Sequence, residues 1–124
     1  MRVIAGSARS LQLKTVDSMD TRPTQDRIKE TLFNILQFEV QGIDFLDLFA
    51  GSGAIGIEAI SRGACRAVFV DNAPKSIRCI QENLEHCKFT DEGVVIASDY
   101  MSALNRLRNA GYHFSVVFMD PPYN

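Results

Sequence analysis

Short, almost wholly apolar runs alternate along this chain with longer amphipathic stretches. The runs Ile43–Phe49, Ala67–Val70, Val94–Ala97 and Phe114–Met119 have the composition of strands buried on both faces of a parallel sheet. Between them, Ala54–Arg62, Ala73–Cys87 and Met101–Ala110 read as covering helices, the first stopped at Gly63 and the third at Gly111. The middle one sets Ile77, Ile80, Leu84 and Cys87 on one face, with Lys75, Arg78, Glu82 and Glu85 elsewhere. The third turns Leu104 and Leu107 inward. Such alternation predicts an α/β fold: a parallel sheet built with right-handed crossovers. Its strands all end on one edge, where ligands bind in this class.

Ahead of this core, MRVIAGSARSLQLK places Val3, Leu11 and Leu13 around a Gly-Ser-Ala-Arg-Ser turn and predicts a two-stranded hairpin. Thr15–Pro23 is polar and reads as a loop, after which Thr24 can cap a helix over Gln25–Gln37. In that helix Ile28, Leu32, Phe33, Ile35 and Leu36 form the face expected against the sheet, and Asp26, Arg27, Lys29 and Glu30 are expected to face away. The organisation predicted is one domain over residues 1–124, with a hairpin-and-helix extension at 1–37 and a core at 43–124.

Composition changes this picture only in places. A chain of 124 residues, 46% hydrophobic with 8 Phe, can bury a core. Without a membrane-length apolar run or the apolar core of a signal peptide, a cytoplasmic location is expected. Cys65, Cys79 and Cys87 lack a C-x-x-C spacing and read as reduced structural thiols, with no metal expected. A net charge of -2 argues against bulk affinity for nucleic acid, but residues 1–37 carry six Lys/Arg against four Asp/Glu. Arg2, Arg9 and Lys14 stand in the first sixteen residues with no acid among them. They make that end the candidate polyanion contact, or a merely solvated basic hairpin.

The candidate chemistry sits at the strand ends. Gly51-Ser52-Gly53-Ala54-Ile55-Gly56 fits G-x-G-x-x-G, a pattern shared by nicotinamide, flavin and S-adenosylmethionine enzymes and by loops that only pack well. Asp47 lies inside the preceding strand, where a dinucleotide fold keeps an apolar residue. Asp71 falls 18 residues after Gly53, near the distance expected of a ribose-binding acid. Asp99 and Asp120 end the third and fourth strands, Asp99 being equally readable as a helix cap. Asp120 opens Asp-Pro-Pro-Tyr-Asn, whose consecutive prolines offer carbonyl acceptors on a rigid backbone.

With DLFAGSG at 47–53 and DPPYN at 120–124, the chain resembles Rossmann-like methyltransferases that modify exocyclic amines of nucleic-acid bases. MRVIAG, DTRPTQDRIKETLFNIL at 20–36 and DLFAGSGAIGIEAISRGA at 47–64, in that order, narrow the resemblance to the bacterial family that methylates the guanine N2 amine of small-subunit ribosomal RNA. It implies a Rossmann-like sheet of strand order 3-2-1-4 and S-adenosyl-L-methionine as cofactor, lying across Phe49, Gly51, Ser52 and Gly53, with its ribose on Asp71, adenine near Asp99 and methionine part near Asp47. Thr24 and Arg22 would hold the methionine carboxylate or an RNA phosphate, and Arg2, Arg9, Lys14 and Arg27 would contact RNA, free or in an assembling ribosomal particle. Asp120, Pro121, Pro122 and Tyr123 would be catalytic. Asp120 and the Pro121 carbonyl draw the amine protons and free the lone pair, and Tyr123 stacks on the base.

Ser10 and Gln12 stand where this family tends to carry glycine and a further basic residue, and Asp71 replaces its more usual glutamate. Members also continue past DPPY with roughly a third more chain, so the fourth strand would be an open edge here. An adenine-N6 methyltransferase, a non-catalytic cofactor- or RNA-binding fragment and, less compatibly with Asp47 and DPPY, a dehydrogenase are the alternatives.

Overall fold

A computed structural model describes residues 1–16 and 23–121, the side chains of 23–25 excepted. Its elements are α1 (Pro23–Ile35), β1 (Asp44–Asp47), α2 (Ala54–Ser61), β2 (Arg66–Asp71), α3 (Pro74–Cys87), β3 (Gly93–Ala97), α4 (Tyr100–Asn109) and β4 (Val116–Phe118). The four strands are parallel, as the alternating pattern predicts, and their order is β3-β2-β1-β4, the one the family resemblance implies. β1 and β2 are central and correspondingly apolar: Phe45, Leu46, Ala67, Val68, Phe69 and Val70 are all buried. Among the described residues β4 has one strand neighbour, β1.

The two faces of the sheet are covered unequally. Phe45, Ala67 and Phe69 pack with Phe33 of α1, Ile57 and Ile60 of α2, and Ile80 and Leu84 of α3. On the other face Leu46, Val68, Val70 and Ile96 pack with Ala103 and Leu107 of α4. α2 fits this close because Gly56 turns toward the sheet: a methyl added there would stand 2.3 Å from Phe69 Cε2.

The N-terminal hairpin is narrower than its sequence suggests, with one antiparallel bridge between Arg2 and Gln12. Val3 and Leu13 are buried in the main core, whereas Leu11 points outward. Ser10 takes φ 73°, in the left-handed region where glycine is at ease.

α1 departs from the predicted orientation. Ile28 and Ile35 are 59% and 71% exposed, and Lys29, expected to face solvent, is 1% exposed. The cause is Glu58, wholly buried in α2. Its Oε1 accepts from the Ile4 N–H at 2.9 Å and faces Lys29 Nζ at 3.3 Å. Its Oε2 accepts from the Ala5 N–H at 3.0 Å and from Arg62 Nε at 2.8 Å. Lys29 also donates to the Arg2 carbonyl at 2.7 Å, and the Arg62 guanidinium lies 5.0 Å from the Phe33 ring centroid. Burial pushes the Lys29 ammonium below its ordinary pKa against the pull of Glu58. Removing one member of such a cluster strands a buried charge, at a cost of roughly 3–5 kcal/mol.

Two substitutions test this packing by urea unfolding. Gly56→Ala gains up to about 1 kcal/mol of helix propensity but overpacks Phe69 by about 1–3 kcal/mol, so a lower midpoint is expected. Ser10→Gly relieves a left-handed strain of about 1–2 kcal/mol against a smaller unfolded-chain entropy, so a gain of about 0.5–1 kcal/mol is expected.

Candidate functional site at the strand ends

β1 ends on Asp47, which is paired in register with Phe69 of β2 and Phe118 of β4. The chain then turns through Phe49–Gly53, with Gly51 at φ 58° and Gly53 at φ 83°, and Gly53 caps α2 in the left-handed conformation. The turn is braced by Ala50 N–H to the Val70 carbonyl at 2.9 Å and Gly53 N–H to the Ala50 carbonyl at 2.8 Å. Nothing lies within 4 Å of where a Gly51 side chain would begin, so the loop surface there is open.

Asp71, the last residue of β2, serves this loop directly. Its Oδ2 accepts from the Gly51 N–H at 2.9 Å and its Oδ1 from the Ala73 N–H at 3.0 Å. The carboxylate expected to meet a ribose thus also fixes the backbone of the loop, and each oxygen retains a lone pair for a further donor.

Asp47 is the opposite case. It is 1% exposed, and among the described residues neither carboxylate oxygen has a hydrogen-bond partner. Burial pushes its pKa up to about 7, and the charges of Asp71 and Asp120 push the same way. The N–H groups of Phe49 and Gly56 oppose the rise, but neither closes a full hydrogen bond. Two of the acids predicted from the sequence, Asp71 and Asp120, thus act on a third, Asp47, at one edge. Asp120 itself is exposed and Pro121 half-buried. Pro122, Tyr123 and Arg22 lie outside the described residues, as does the Thr24 side chain.

Asp99 is engaged as a helix cap. Its carboxylate accepts from the Ser102 N–H and from the Ser102 hydroxyl, both at 2.9 Å, and these bonds hold its pKa below the usual carboxylate range. The next residue, Tyr100, comes to the edge instead, its ring 5.6 Å from that of Phe49. The only sequence signal for Tyr100 is its position after a strand-end acid, where an aromatic has no need to stand for α4 to form.

The basic residues separate into two groups. Arg2, Arg9 and Arg27 line one groove of about 470 Å³ between the hairpin and α1, together with Asp26 and Glu30. Lys14 is elsewhere, its ammonium paired with Glu82 of α3.

The family described as conserved hypothetical protein 95 matches residues 1–124. A Bacillus subtilis protein, YlbH, is 42% identical over 123 residues, covering 99% of this chain and 67% of its own. Ribosomal RNA small subunit methyltransferase D of Haemophilus influenzae is 39% identical over 125 residues, covering 100% of this chain and 64% of its own. In three dimensions, a hypothetical protein of Thermus thermophilus superposes with a TM-score of 0.85 at 36% identity, over 99% of this chain and 70% of that one. The chain therefore spans about two thirds of the length of these relatives.

The state of Asp47 has a measurable sign. Its native pKa is raised, so the native state binds the proton more tightly than the unfolded chain and Asp47 lowers stability as pH rises from the ordinary carboxylate range toward 7. Asp47→Asn removes this dependence. The variant-minus-wild-type stability of the ligand-free protein should grow between pH 4 and 7, by at most about 1.4 kcal/mol per pH unit, and level off above that. Urea unfolding at pH 5 and pH 7.5 measures it.

Proposed function

The chain belongs to the conserved hypothetical protein 95 family, and on that premise we propose that it is the cofactor-binding part of an S-adenosylmethionine-dependent methyltransferase acting on the N2 amine of a guanine in small-subunit ribosomal RNA. One observation carries the reading: a wholly buried carboxylate without a partner, Asp47, lies beneath an open glycine loop at the edge where Asp71 and Asp120 also act on it. A dinucleotide fold has no use for that charge. A cofactor with an α-ammonium and a sulfonium does, since either cation favours the ionised form of Asp47.

The residues fit this cofactor. Asp47 offers two free acceptors to its methionine end, Asp71 offers its remaining lone pairs to the ribose, and Gly51 leaves room for close approach. Asp99, occupied by Ser102, contributes its helix start more than its carboxylate, which leaves Tyr100 and Phe49 as the apolar flank on the adenine side. When bound, S-adenosylmethionine supplies an electrophilic methyl group. The protein's part is alignment and acceptance of hydrogen bonds. Asp120 and the Pro121 carbonyl accept the two N–H bonds of the guanine amine and return its lone pair from the ring to nitrogen. The fixed φ of Pro121 and Pro122 keeps those acceptors in place, and Tyr123 stacks on the base, a contact worth about 1–3 kcal/mol. Arg2, Arg9 and Arg27 hold the RNA backbone along the hairpin groove, and Arg22 serves as a further phosphate contact. The enzyme acts in the cytoplasm, on free RNA or an assembling particle.

Calorimetry and methyl transfer test separate parts of this reading. S-adenosylmethionine and its demethylated product should bind, NAD should not, and Asp71→Ala should weaken binding by about 1.5–3 kcal/mol for each charge-assisted bond lost. In the full-length protein Asp120→Ala should abolish tritium transfer to ribosomal RNA while cofactor affinity stays nearly unchanged. Wild-type transfer in Asp120→Ala would refute the mechanism, and product at adenine N6 would replace the guanine acceptor.

A further inference from the structure

Asparagine is a poor choice for the interior of a helix, because its amide competes for backbone hydrogen bonds. Asn83 nevertheless stands well inside α3, 1% exposed. Its side chain leaves its own helix and meets two remote segments. Oδ1 accepts from the Lys14 N–H at 2.8 Å, and Nδ2 donates to the Lys14 carbonyl at 3.0 Å. The second Nδ2 hydrogen goes to the Ser52 carbonyl at 2.9 Å, in the middle of the glycine loop. With both hydrogens used and both backbone groups of Lys14 matched, the reverse orientation of the amide would set donor against donor. Two α3 neighbours tighten the same grip: Cys79 Sγ donates to the Lys14 carbonyl at 3.3 Å, and Glu82 pairs with the Lys14 ammonium.

We propose that Asn83 is a positioning residue for the transfer, a single buried amide that ties the glycine loop at Ser52 to the N-terminal segment at Lys14 and so sets where the RNA-contacting arm stands relative to the cofactor. A surface pair such as Lys14–Glu82 cannot do this, since exposed ion pairs hold little and are screened by salt. The amide acts differently. It holds the backbone on both sides of the link, within the core, at the last described turn before residues 17–22. The inference rests on the proposed function for its kinetic consequence only; the link itself is independent of it.

Asn83→Ala and Asn83→Asp test it in the full-length protein. The aspartate keeps the bond from the Lys14 N–H but turns an acceptor toward the two carbonyls, cutting the loop half of the link. Misplacement of aligned reactants appears in kcat, so a loss of about 10- to 100-fold in kcat for tritium transfer to ribosomal RNA is expected in both variants, with KM for the cofactor changed less than about 3-fold. Hydrogen exchange on the ligand-free Asn83→Ala protein is the second readout: amides at 14–16 and at 51–53 should lose protection together. Unchanged kcat, a kcat loss matched by an equal loss of cofactor affinity, or unfolding of both variants would make Asn83 purely structural and overturn the proposal. Loss of protection in one segment alone would also overturn it. A wild-type protein that transfers no methyl group would count against the proposed function, and exchange alone would then decide the link.

Discussion

Everything at the N-terminal side of this molecule depends on keeping one buried carboxylate satisfied. Glu58 sits in the middle of α2 and gathers donors from three separate pieces of chain: the amides of Ile4 and Ala5, the Lys29 ammonium of α1, and Arg62 one turn along its own helix. A charge in that environment cannot lose a partner cheaply, so the hairpin and α1 are held to the core by an all-or-none requirement as well as by apolar area. The direction in which the hairpin leaves follows. Residues 2–5 run along α2, and the chain returns to reach Lys14 beside α3 and the glycine loop. α2 is thus shared, with its N-terminus closing the ligand loop and its middle anchoring the arm.

The strand ends carry the second constraint. Asp71 and Asp120 both disfavour the ionised form of Asp47 there, while Asp71 is itself held by the Gly51 and Ala73 N–H groups. Among the described residues the edge therefore gathers acid around Asp47. That gathering is local: the Arg2, Arg9 and Arg27 groove lies on the hairpin side, so a basic arm and an acidic pocket coexist on a chain of small net charge. Attraction for a polyanion and attraction for a cation are kept apart by the fold.

The element sequence, the parallel sheet and the acids at strand ends were legible because each depends on local period and on turn residues that a parallel sheet forces to one edge, whereas the strand order came from the family resemblance. Asp47 stood out as an acid where apolar residues belong. The illegible parts are those in which one side chain answers to a distant partner. Lys29 reads as solvent-facing by helical period, and only Glu58, 29 residues on, explains why it turns inward and leaves Ile28 and Ile35 outside. Asn83 looks like an ordinary polar helix position, since its partners lie 31 and 69 residues away. Asp99 shows the reverse: its partner is three residues off, and the local reading as a cap is the one the geometry bears out. Ser10 carries its left-handed strain at a turn whose residue types alone do not reveal it.

The double service of Asp71 has an entropic meaning. Because its carboxylate already holds the Gly51 and Ala73 amides in the ligand-free protein, the loop's conformational entropy is surrendered during folding, before any encounter. A ligand of the kind proposed above would meet a loop already held at Gly51 and Ala73, with the ordering of those two residues completed before it arrives.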